Sequence, residues 1–82
     1  MSLAQITTKS PSFGTCVANN ATAVTVLNAN VTANSLIVLT VKTASAGANN
    51  GEAVVSATSP GVSFTIESGA ADTSTYNYFI LN

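Results

Sequence analysis

Apolar and polar residues alternate along this chain in runs of four to eight positions, a period that fits strands and not helices. In "TAVTVLN" (22–28), Val24 and Val26 share one face and Thr25 takes the other. In "SFTIES" (63–68), Phe64 and Ile66 point one way and Thr65 and Glu67 the opposite way. In "TYNYFIL" (75–81), Tyr76, Tyr78 and Ile80 form one face, with Phe79 and Leu81 on the other. "FGTCVA" (13–18) and "EAVVSAT" (52–58) are weaker runs of the same kind, and "LIVLTVKT" (36–43) is read as the central strand. Turn-forming residues separate the runs. Asn19 and Asn20 make one turn, and Asn50-Gly51 suits a turn with positive φ. "SPGV" (59–62) puts Pro60 and Gly61 at the second and third positions of a type II turn. "GAADTS" (69–74) is a loop in which Asp72 and Ser74 can hydrogen-bond to nearby backbone.

These runs predict an all-β domain over residues 13–82, a small antiparallel sandwich or barrel of about six strands. Residues 1–12 are polar, lack a period and end near Pro11, so they read as an extended amino-terminal arm. Two runs break the alternation. Residues 36–41 are apolar except for Thr40, and residues 79–81 are apolar throughout, so both present apolar side chains on two faces. Such a strand must be covered twice. One face can meet the core; the other can be covered by loops or by a copy of the same chain. The second option is preferred, which makes Leu36, Ile37, Val38, Leu39, Val41, Phe79 and Leu81 candidate oligomer-interface residues. Each such side chain buried contributes roughly 1.5–3 kcal/mol. Lys42, directly after the run, is placed as a gatekeeper against aggregation.

Size and charge strengthen the assembly reading. The 82 residues make one small domain, and a domain of that size buries only about 60% of its unfolded surface. A single cysteine, Cys16, allows no internal disulfide, and the absence of histidine leaves no plausible zinc site. Oligomerisation is the remaining supplement. Charged residues are 6% of the chain, against roughly 25% in ordinary soluble domains. A net charge of −1 gives no basic footprint for nucleic acid. The amino terminus reads as no targeting signal, and the apolar run 36–41 is far short of the roughly 20 residues a spanning helix needs. No nucleic-acid and no membrane partner is therefore expected.

Little in the sequence suggests catalysis. No histidine is present as a general base. Glu67 and Asp72 could approach each other across a turn, but solvated charges are the more ordinary reading. Cys16 reads as a small buried hydrophobe, and "SAGANNG" has no phosphate-loop signature. Asp72 alone is too little for a calcium site. The glycosylation patterns at Asn20 and Asn30 carry little weight in a chain so rich in Asn and Thr. Tyr76 and Tyr78 could stack on sugars, yet their spacing along one strand face favours packing. The expectation is a protein that is not an enzyme and has no cofactor.

Several of these stretches together resemble a known domain. "ATAVTVLNANVTANS" runs into "LIVLT", followed by "GVSFTIES" and "DTSTYNYFIL". In this order they resemble a small β-domain of tailed-bacteriophage virion structural proteins, of the capsid-decoration, head-fibre or tail-fibre type. Many relatives have arginine after the Asn-Ser pair; here Leu36 stands there. The resemblance implies a virion protein, assembled in the host cytoplasm, without catalytic residues. A nearly free-standing domain behind an arm implies a capsid decoration or head-fibre protein that stabilises the shell as a homotrimer. Its partners would be itself and the major capsid protein or another virion protein. Ile6 and Lys9 would then be shell-attachment residues. A tail-fibre or tail-tip module in host adsorption is the alternative, and a small carbohydrate-binding module is a third.

Overall fold

Each of the six runs forms a strand in the computed structural model, which describes residues 13–47 and 49–81. The strands are β1 (Phe13–Val17), β2 (Val24–Leu27), β3 (Leu36–Thr43), β4 (Val54–Ser59), β5 (Ser63–Glu67) and β6 (Thr75–Leu81). No helix occurs among the described residues. The arm, with Ile6 and Lys9, lies outside the described residues.

The strands form two antiparallel sheets, in the orders β1-β6-β3 and β2-β5-β4. This corrects one expectation: β3 is an edge strand, and β6 is central in its sheet. An apolar edge strand does not need neighbours on both sides, but its outward residues still need a cover. A register shift between Val41 and Thr43 interrupts its pairing with β6, beside Lys42. Such irregularities, with a charge, blunt an edge against further pairing.

The core lies between the sheets. Phe64 and Ile66 of β5 face Tyr78 and Ile80 of β6, with Val31 inserted from the connection between β2 and β3. Cys16, Val24, Val26, Ile37, Leu39 and Val55 pack around this cluster. Phe64 and Tyr78 meet edge to face, with ring centroids 5.0 Å apart, a geometry that suits the aromatic quadrupoles. Gly14 makes room for the second ring: a Cβ there would stand 3.0–3.1 Å from the Tyr78 ring and hydroxyl.

The turns follow the expected chemistry. Val62 N–H donates to Ser59 O at 3.0 Å across Pro60-Gly61, with Gly61 at φ 75°. Thr22 N–H closes the turn at Asn19-Asn20 on Asn19 O at 3.0 Å, with Asn20 at φ 55°. Gly51 takes φ 91° beside Asn50, and Asn49 also takes a positive φ of 63°. Ser35 accepts from Thr32 N–H at 2.8 Å, so the Asn34-Ser35 pair ends a local turn just before β3 starts.

Candidate functional site

Two features stand out from the ordinary sandwich: the outer face of the β1-β6-β3 sheet and a polar knot at one end of the domain. The outer face follows from strand register. Phe13, Phe79 and Val38 form one row across the three strands, and Leu81 and Leu36 form the next. Phe13 is 63% exposed, Leu36 60% and Phe79 38%. Further along, Thr15, Asn77 and Thr40 make a polar row, in which Asn77 Nδ2 donates to Thr40 Oγ1 at 3.4 Å. A shallow groove runs between β1 and β6 here, lined by Phe13, Gly14, Thr15, Asn77, Tyr78 and Phe79. The opposite sheet presents Thr25, Thr65 and Glu67 outward, interspersed with exposed Leu27 and Val54. Among the described residues, adjacent rows that are wholly apolar occur only on the β1-β6-β3 face; the other face mixes apolar and polar positions within its rows.

The seven candidate interface residues divide between the two faces. Leu36, Val38, Phe79 and Leu81 sit together on the outer face. Ile37 and Leu39 pack against the core instead. Val41 pairs with Tyr76 on the inward register but is 40% exposed near the sheet's end. Phe13 is an outer-face residue that the sequence reading did not single out. The signal was present in its spacing from Thr15 and Val17, but pairing with Phe79 could not be read from β1 alone.

The polar knot centres on Asp72, which has no exposed surface. The solvated-charge reading of this residue is corrected. Its Oδ1 accepts from Ser74 N–H at 3.0 Å, and its Oδ2 accepts from Tyr76 Oη–H at 2.5 Å and from Ser68 Oγ–H. Burial disfavours the charged carboxylate, but these hydrogen bonds outweigh it and hold the carboxyl well below the usual carboxylate range. Glu67 stays exposed at the end of β5, so the two carboxylates do not share an environment. Tyr76 Oη is fully used: it donates to Asp72 and accepts from Gly51 N–H at 2.9 Å and Ala53 N–H at 3.3 Å.

The knot ties three chain segments together. Ser74 Oγ donates to Asn50 Oδ1 at 3.0 Å and accepts from Ser45 N–H at 2.9 Å. Asn49 Nδ2 donates to Ala70 O at 2.8 Å. Asn20 N–H donates to Asp72 O at 2.9 Å, and Ser68 N–H donates back to Asn20 O at 3.2 Å. Among the described residues no buried side-chain polar atom lacks a partner. The arrangement is structural chemistry. Hydroxyl and N–H donors already occupy the Asp72 oxygens, which a cation would need free. Among the described residues no group of three or more potential metal-ligating side chains assembles. Cys16 is half-buried, and burial pushes its thiol pKa up, away from the reactive thiolate. Tyr76 and Tyr78 are buried, so neither offers a stacking platform.

Fold and site thus define a small two-sheet β-domain with one apolar outer face and one hydrogen-bonded end. The chain belongs to a family described as the K1 capsule-specific polysaccharide lyase C-terminal domain, which matches residues 10–81 and so spans all six strands. No curated protein and no solved structure matches the chain. The membership agrees with the resemblance at its coarser level, a phage-associated β-domain.

Proposed function

We propose that this domain is a non-catalytic structural module of a phage tail fibre or tail spike, acting in host adsorption and assembling as a homo-oligomer through the outer face of the β1-β6-β3 sheet. The observation that carries the reading is the family match across all six strands, since that family is described as the C-terminal domain of a capsule-specific polysaccharide lyase. A domain that accompanies a polysaccharide-cleaving protein belongs where the particle meets the host surface. That supports a tail position over the shell.

The outer face supports the oligomeric part. Phe13, Leu36, Val38, Phe79 and Leu81 form a continuous apolar area on a domain with 6% charged residues. Exposed apolar patches of this kind mark interaction sites. A copy of the same chain fits because the rows Phe13-Phe79-Val38 and Leu81-Leu36 carry no charged residue needing an opposite charge. Threefold symmetry is the arrangement proposed, as in the resemblance. Polysaccharide contact by this domain itself finds less support, because both tyrosines are buried.

The test is copy number and phenotype. A tail module is present in a handful of copies per particle, and its loss impairs adsorption while leaving the heat resistance of the head unchanged. Copies numbering in the tens to hundreds, with particles that fall apart on heating when it is removed, would place it on the shell and overturn the proposal. Sedimentation of the purified chain tests the oligomer separately, with a stable monomer at micromolar concentration as the refuting result.

A further inference from the structure

The chain holds one Asn-Gly pair, Asn50-Gly51. Such pairs are prone to deamidation. The glycine nitrogen, losing its proton to solvent base, attacks the asparagine Cγ. The Cγ–Nδ2 bond breaks and ammonia leaves; water then opens the cyclic imide to aspartate or isoaspartate. The reaction needs a free backbone nitrogen and a side chain able to swing over it.

Here both reactants are held. Gly51 N–H donates to Tyr76 Oη at 2.9 Å. Asn50 Nδ2 donates to Ser45 O at 2.7 Å, while its Oδ1 accepts from Ser45 Oγ at 2.6 Å and from Ser74 Oγ at 3.0 Å. Both residues are exposed, so burial does not keep solvent base away from the pair. Geometry does the protecting. We propose that Asn50-Gly51 is a latent deamidation site held shut by Tyr76 and Ser74, and that its reaction makes a reversible loosening of this end of the domain permanent.

The products explain the permanence. A carboxylate at this position cannot donate to Ser45 O; it sets a charged acceptor against a carbonyl and leaves the Ser45 oxygen without its donor. Isoaspartate also inserts an extra backbone atom between Asn49 and Gly51, both of which hold positive φ. Either product disfavours reclosure of the 45–51 loop onto Ser74 and Tyr76.

The test follows deamidation at Asn50 by peptide mapping of the folded full chain, in mildly alkaline buffer well below its melting temperature. A free peptide of sequence 45–55 is the unprotected reference, and Val26→Ala is a control that weakens the core without touching the loop. Wild type and Val26→Ala should react at least about tenfold more slowly than the peptide, because the loop opens only as a minor local population. Tyr76→Phe should approach the peptide's rate; if it does not fold, Ser74→Ala serves in its place. The proposal is overturned if folded wild type reacts at the peptide's rate. It is equally overturned if the loop variant is no faster than Val26→Ala. An Asn50→Asp protein that melts at the wild-type temperature would remove the claim of permanence.

Discussion

Replacing Asp72 by Asn isolates the charge at the centre of the polar knot while keeping its shape. In the native chain the carboxylate accepts from Ser68 Oγ–H, Ser74 N–H and Tyr76 Oη–H. The amide oxygen of Asn can keep the Ser74 bond. Its NH2 group then points at the Ser68 and Tyr76 hydroxyls, where the acceptor used to be. Ser68 is half-buried and can turn its hydroxyl to water; Tyr76 is buried, and its oxygen already serves Gly51 and Ala53. Hydrogen bonds to charged groups contribute roughly 1.5–3 kcal/mol each, so losing one outright and weakening a second should cost about 2–4 kcal/mol. For a domain of 60–100 residues each kcal/mol shifts Tm by about 4–8 °C, so the melt at neutral pH should fall by roughly 8–32 °C. The assay is thermal unfolding by circular dichroism across a pH series. The sign of the pH dependence is fixed by linkage. The folded carboxyl titrates below its ordinary value of 3.8, so its stabilisation is complete above that value and declines as the pH falls through the folded one. Wild type should therefore hold its Tm down to about pH 4 and lose it below, whereas Asp72→Asn should show a much flatter acid limb. A variant that melts with wild type at neutral pH, or that keeps the full acid dependence, would refute the role assigned to this carboxylate.

Other substitutions separate the core from the outer face. Leu39→Asp puts a charge against the core and should abolish folding, whereas Val38→Asp, on the opposite face, should leave a folded domain that no longer associates; sedimentation with circular dichroism distinguishes the two. Phe64→Ala should cost about 3–5 kcal/mol and unfold a small domain or bring it close to unfolding, measurable by urea titration. Gly47→Ala should destabilise strongly, because its Cβ would collide with the Ala71 backbone carbonyl, while Gly61→Ala should cost only about 1 kcal/mol, from positive φ in open space. Comparative melts decide the order of these two glycines.

Strand placement was legible in the chain because a strand's signal is local. Alternation at Val24/Val26, Phe64/Ile66 and Tyr76/Tyr78/Ile80 fixes which face turns inward, since successive side chains must point to opposite sides. The turns at Asn19-Asn20 and Pro60-Gly61 were legible for the same reason: positive φ selects few residue types. Strand order was not legible. Residues 36–43 read as central because they are apolar on both faces, yet the chain places β6 between β1 and β3. A two-sided apolar run says that both faces need cover; it does not say whether a neighbouring strand lies on each side. Asp72 shows the same division. Its ability to hydrogen-bond a nearby backbone was readable from "DTS", and Ser74 N–H meets that expectation. Its burial was not readable, because that depends on segments around residues 20, 45–51 and 68–76 converging at one end of the sandwich. Only that convergence brings the donors that let a carboxylate remain charged without water. The outer apolar row needed the fold too: Phe13 lies 66 positions from Phe79 in the chain, and only antiparallel pairing of β1 with β6 places them side by side.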